Sequence, residues 1–162
     1  MLDLLMHMYP IYAPHFSGKP LADPLPPEVR VVNPDGLGEL IMVVDDDDAV
    51  RMLVEFMLAQ EGYRIVSAAT GKEALVLIEK LKNRVDLVIL DFVMPGMDCA
   101  QTLRGMRDVV SNLPIIIISG YTSNETLEQL VIDSNSGFIP KPLGRKKLSH
   151  GIDTILREVR AG

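Results

Sequence analysis

The chain has 162 residues, 48% apolar and 23% charged, which suits one domain with a full core and an appendage. Its formal charge of −6 runs against a general nucleic-acid binder, and its single cysteine, Cys99, excludes an internal disulfide and any cysteine-rich zinc site. His7, His15 and His150 show no metal-ligand spacing and no stretch reaches the length of a membrane span, so the expected setting is cytoplasmic and reducing.

The N-terminal "MLDLLMHMYP" is interrupted by Asp3 and lacks a basic flank, which makes it a poor signal peptide. Seven of the eleven prolines fall before residue 38 (Pro10, Pro14, Pro20, Pro24, Pro26, Pro27 and Pro34), so residues 1–38 read as a proline-rich extension or linker. Its first dozen residues are apolar enough to dock on another surface; disorder is the alternative.

A regular alternation starts at residue 39, and residues 39–162 read as one domain. "ELIMVV" is a strand-length apolar run. In "DAVRMLVEFMLAQEG", Val50, Leu53, Val54, Met57 and Leu58 recur at helical spacing, and Gly62 closes the helix. "YRIVSA" is a strand and "GKEALVLIEKLKN" a helix; "VDLVILD" is a strand and "CAQTLRGMRDVV" a helix. "LPIIIISG" is a buried-type strand and "SNETLEQLVIDS" a helix; "GFIPK" and "GRKKLSHGIDTILREVR" form the last pair. Five strand–helix units predict an α/β fold: a parallel sheet covered on both faces, with the flavodoxin-like order 2-1-3-4-5.

In such a sheet a ligand sits beyond the carboxyl ends of the strands, where strands 1 and 3 meet. Strand 1 ends in Asp45 and Asp46, strand 3 in Asp91, so three carboxylates converge at one rim. Oxygen donors without histidine or cysteine suit a hard cation, Mg²⁺ or Mn²⁺. Strand 4 brings a hydroxyl, Ser119, and strand 5 an ammonium, Lys141. Carboxylates, a cation, a hydroxyl and a lysine around one point make a site for a phosphoryl group.

Some of these side chains have plainer uses. Asp47 or Asp48 is the expected N-cap of the first helix, and Asp98 that of the third. Met94 and Pro95 shape a loop, Cys99 is a small packing residue, and "RKK" at 145–147 is a solvated face. "TGKEA" lacks the glycine spacing of a phosphate loop, and Val50 stands where an EF-hand needs glycine.

The stretches "IMVVDDDDAVR", "VDLVILDFVMPGMD", "IIIISGYTS" and "GFIPKPL", in that order, resemble the receiver domain of bacterial response regulators, of the chemotaxis-regulator type. The likeness spans roughly residues 39–160. It implies that Asp91 is the phosphoacceptor, taking a phosphoryl group from a phosphohistidine. It implies that Asp46 holds Mg²⁺ directly, Asp45 directly or through water, and that the backbone carbonyl of Val93 completes the protein ligands. Lys141 would pair with the phosphoryl oxygens, Ser119 would turn inward to bond them, and Phe138 would follow as the aromatic switch. A cis Lys141–Pro142 peptide is also implied. The sequence departs from the family at Cys99, where glycine is usual, at Phe138, which lacks a tyrosine hydroxyl, and at Leu143, where an aromatic residue is common.

By this resemblance the domain is a signalling module and not an enzyme beyond its own phosphorylation and dephosphorylation. The implied partners are a sensor histidine kinase or histidine phosphotransfer protein and an unknown downstream protein, with no direct nucleic-acid or membrane contact. Output would use the face made by the fourth helix, fifth strand and fifth helix, a face compatible with homodimerisation. "SGYTS" and "PKPL" are similar to receivers fused to histidine kinases, and the chain stops one helix after "KPL", so a stand-alone receiver and one detached from a hybrid kinase are both open. Two other functions compete. A haloacid-dehalogenase-like phosphohydrolase would use Asp45 and Asp47 but meets Ala49 at an unsuitable position and lacks a cap region. A pseudo-receiver would keep the fold without the chemistry.

Overall fold

A computed structural model describes residues 25–36, 38–120 and 135–162. The predicted helix over residues 123–134 and the apolar first dozen residues lie outside the described residues. The elements are β1 (Leu40–Val44), α1 (Asp48–Gln60), β2 (Arg64–Ala68), α2 (Gly71–Leu81), β3 (Leu87–Asp91), α3 (Cys99–Val109), β4 (Ile115–Ser119), β5 (Ser136–Pro140) and α4 (Arg145–Ala161), with a 3₁₀ turn at Lys82–Arg84.

The five strands form one sheet in the order β2-β1-β3-β4-β5, every pairing parallel. This is the expected topology. β1, β3 and β4 are buried at every position, which is why each reads as an unbroken apolar run instead of an alternating one. The pleat sends alternate residues to opposite faces. Leu40, Met42, Val44, Val88, Leu90, Ile115 and Ile117 pack on α2 and α3 through Ala74, Ile78, Leu81, Leu103 and Met106. Ile41, Val43, Ile65, Leu87, Ile89, Ile116 and Ile118 pack on α1 and α4 through Val54, Met57, Leu58, Leu148, Ile152 and Ile155. Each fully buried aliphatic side chain contributes about 1.5–3 kcal/mol by leaving water.

The helices start where the sequence provides acceptors. The Asp47 carboxylate takes the N–H groups of Ala49 and Val50, and Asp98 forms a capping box with Gln101. Both caps match expectation. Gly62, at φ 88°, occupies the left-handed region just past α1, as its place in the sequence predicts.

One expected core position is exposed. Leu53 is 52% accessible, alongside Met52 at 65% and Phe56 at 60%. A single α-helical stripe wide enough for Val50, Val54, Met57 and Leu58 already fills the contact with the sheet. Leu53 precedes Val54 by about 100° of rotation and turns toward solvent with Met52 and Phe56.

The end of the proline-rich segment lies against the sheet. Val32 forms an antiparallel bridge with Ile65 on the edge strand β2, its N–H donating at 2.8 Å and its carbonyl accepting at 3.0 Å. Asn33 adds a side-chain bond to the Tyr63 carbonyl at 2.9 Å, and Val29 is buried in the core beneath α2 and α3. The open edge of β2 is thus partly covered by the chain's own preceding segment.

Candidate functional site

The strand order alone brings the acids together. Val44 and Leu90 are register partners in β1 and β3, so Asp45, one residue past β1, stands beside Asp91, the last residue of β3. Asp45 is 1% exposed and Asp91 4%, while Asp46 faces solvent at the rim. One carboxylate oxygen from each of Asp45, Asp46 and Asp91 lies within 4.8 Å of the other two.

Burial shapes their protonation. The Asp45 carboxyl is pushed up to about 6, mainly by loss of water, with Asp91 and Asp46 adding to the rise. The Asp47 N–H, which donates to Asp45 Oδ1 at 2.9 Å, and the Lys141 ammonium work against it. Asp91 is also raised by burial, opposed first by Lys141 and then by the Val93 N–H, which donates to its Oδ1 at 3.4 Å.

The other strand ends complete the rim. Ser119 is buried at the end of β4 and sits in register with Pro140 of β5; its carbonyl accepts the Lys141 N–H at 2.8 Å. That bond sets Lys141 beside Ser119, and the Lys141 ammonium lies 3.5 Å from Asp91 Oδ1. The Lys141–Pro142 peptide is cis. Phe138 is half-buried in β5 opposite Ile117 and packs on the core beneath α2 and α3. Val93 follows Asp91 in the loop with an exposed side chain. Cys99 is buried, its thiol pushed up to about 12 chiefly by desolvation, which fits a packing role.

A divalent cation fits this donor set. The Asp45 Oδ2 atom is buried without a hydrogen-bond partner, an expensive condition for a carboxylate unless a cation meets it. The dehalogenase-like alternative fares worse, because Asp47 Oδ1 is committed to two N–H groups of α1.

Arg51 was not singled out from the sequence. Its Nη1 donates to the backbone carbonyl of Asp45 at 2.7 Å and its Nη2 pairs with Asp48. A contact between an arginine and a carbonyl six residues earlier leaves no pattern in a sequence.

Residues 41–153 match the sequence model of the response regulator receiver domain. The chain belongs to the response regulator receiver family. The sensor kinase CckA of Brucella abortus is 37% identical over 118 residues, covering 73% of this chain and 12% of that protein. The transcriptional regulatory protein AfsQ1 of Streptomyces coelicolor is 32% identical over 120 residues, covering 72% of this chain and 51% of that one. This receiver therefore spans an eighth to a half of these curated relatives. Among solved structures, the receiver domain of the hybrid histidine kinase CckA superposes with a TM-score of 0.62 at 33% identity, covering 72% of this chain and 98% of that one. The CheX–CheY–BeF3–Mg complex of Borrelia burgdorferi gives a TM-score of 0.68 at 27% identity, with 73% and 89% covered. The receiver is a two-component signalling domain, and no described helix is long and apolar enough to cross a membrane.

Proposed function

We propose that this receiver takes a phosphoryl group from a phosphohistidine onto Asp91, with Mg²⁺ held by Asp45, Asp46 and Asp91. The observation that carries the reading is the meeting of Asp91, two further carboxylates and Lys141 at one rim, with a buried, unpartnered oxygen on Asp45.

The Asp91 carboxylate, stripped of water, attacks phosphorus as the P–N bond to the donor imidazole breaks, giving an acyl phosphate. Mg²⁺, when bound, neutralises charge shared by the carboxylates and the incoming phosphoryl oxygens. The backbone carbonyl of Val93 is the further protein ligand in this reading. Lys141 already pairs with Asp91 and would turn its ammonium to the added phosphoryl oxygens. Ser119 would bond the same group from β4, and Phe138 would follow it, shifting a pre-existing equilibrium at the face of β5 and its flanking helices. The predicted fourth helix of that face lies outside the described residues.

The domain then acts as a switch and not as an enzyme on external substrates, working in the cytoplasm within a stand-alone protein or a hybrid kinase. The exposed apolar group Met52, Leu53 and Phe56 on α1 supports docking of a kinase or histidine phosphotransfer protein beside the site.

Intact-mass measurement after incubation with acetyl phosphate and Mg²⁺ tests the reading, beside Asp91→Asn. One added phosphoryl group that needs the metal and is absent from the variant is the expected result. A folded, Mg²⁺-binding chain with no adduct from acetyl phosphate or from a phosphohistidine donor would make it a pseudo-receiver.

A further inference from the structure

The four consecutive aspartates have unequal surroundings. Asp45 is buried, Asp46 faces the rim, Asp47 caps α1, and Asp48 pairs with Arg51. The Arg51 side chain is only 17% exposed, and its guanidinium spans the loop from Asp48 back to the carbonyl of Asp45. That carbonyl belongs to the peptide plane joining Asp45 to Asp46. On its other side, the Asp45 N–H donates to the Ala68 carbonyl at 3.2 Å. The strand is therefore anchored up to Asp45, and the orientation of the next peptide is held by Arg51.

We propose that Arg51 is a positioning residue for the metal site: by fixing the Asp45–Asp46 peptide plane, it keeps the Asp46 carboxylate within reach of those of Asp45 and Asp91. The inference rests on the metal-site reading above and adds a residue to it. A rotation of that plane would swing the Asp46 side chain away from the other two carboxylates. A planar guanidinium presents donors in two directions and meets both the carbonyl and Asp48; a lysine ammonium meets one of them. Groups that orient first ligands in this way typically change metal affinity by roughly tenfold to a hundredfold when removed.

The sign of the effect separates positioning from simple charge. Arg51 is a cation beside a cation-binding site, so by Coulomb's law alone its removal would tighten Mg²⁺ binding. Positioning predicts the opposite.

The test is calorimetric titration of Mg²⁺ into the unphosphorylated protein, comparing wild type with Arg51→Met, Arg51→Lys and Asp48→Asn. Circular dichroism of the metal-free forms confirms that each is folded. Arg51→Met is expected to raise the Mg²⁺ Kd by roughly tenfold or more, Arg51→Lys by less, and Asp48→Asn hardly at all. The amide signal of Asp46 should also move in the metal-free NMR spectrum of Arg51→Met and stay in place in Asp48→Asn. An unchanged or tighter Kd in a folded Arg51→Met would overturn the proposal; should that variant not fold, a Kd in Arg51→Lys equal to that of wild type would do so. If the wild type takes no Mg²⁺, the metal site and this role for Arg51 both fall. If Mg²⁺ binds with the expected dependence on Arg51 but Asp91 takes no phosphoryl group, only the phosphoacceptor reading fails.

Discussion

The Lys141 ammonium stands 3.5 Å from Oδ1 of Asp91, with the lysine side chain 34% exposed and the carboxylate 6%. The pair is thus buried on the acid side and wet on the cation side, which would leave the ammonium free to move with a phosphoryl group on Asp91, as the proposed function requires. Lys141→Ala is expected to slow labelling by acetyl phosphate about a hundredfold, the usual loss when one preorganised charge at a transition state is removed. The Lys141 cation also holds Asp91 down against burial, so its loss should cost most at low pH. Initial rates by intact-mass measurement check this; an unchanged rate at neutral pH would remove Lys141 from the chemistry.

The Asp45 carboxyl, at about 6, and Asp91, raised in the same direction, would make the proposed metal binding depend on pH. In the metal-free fold a carboxyl raised above its unfolded value of about 3.9 favours folding most when protonated. That contribution is present below the unfolded value and is lost as pH rises through the folded one. A divalent cation takes only the ionised carboxylates and displaces their protons, so its affinity falls as pH drops below about 6. The thermal stabilisation given by saturating Mg²⁺ should therefore grow between about pH 5 and pH 7. A gain that stays flat across that range would take Asp45 out of the ligand set.

The sheet and its acid rim were legible in the residues because parallel strands buried on both faces must be continuous apolar runs, and "LIMVV", "LVILD" and "IIIIS" are such runs. Their order then forces Asp45 and Asp91 together, whatever the helices do. Leu53 was misplaced because helical spacing admits two neighbouring stripes on α1, and only the width of the sheet contact selects between them. Val32 was hidden because one bridge on an edge strand has no periodicity to detect, and the prolines around it point to a linker. Arg51 escaped because its partner is a backbone carbonyl, which every residue carries.

The Val32 bridge predicts that the folded unit reaches back before residue 39. Val32→Pro removes the N–H that donates to the Ile65 carbonyl and should cost about 1–3 kcal/mol, seen as a lower denaturant midpoint with little change in slope. A chain of residues 39–162 should still fold, since the two core layers are largely intact, but with a lower midpoint than the full chain. Equal midpoints for the two chains would show that the segment merely rests on β2.

Phe56 is 60% exposed on the same helix whose first turn carries the Asp47 cap and the Asp48–Arg51 pair. An exposed aromatic gives the fold little, so Phe56→Ala should leave the unfolding free energy within about half a kcal/mol of wild type. Small phosphodonors diffuse to Asp91 without touching α1, and labelling by acetyl phosphate should be unchanged. A protein donor must lay its phosphohistidine beside the acid rim, and a ring buried at the centre of such a contact typically contributes about 2 kcal/mol. Transfer from a histidine phosphotransfer protein, measured below saturation by loss of label from the donor, should then slow roughly thirtyfold in Phe56→Ala. A loss in both assays would mean that Phe56 supports the site itself, and a loss in neither would place the partner on another face.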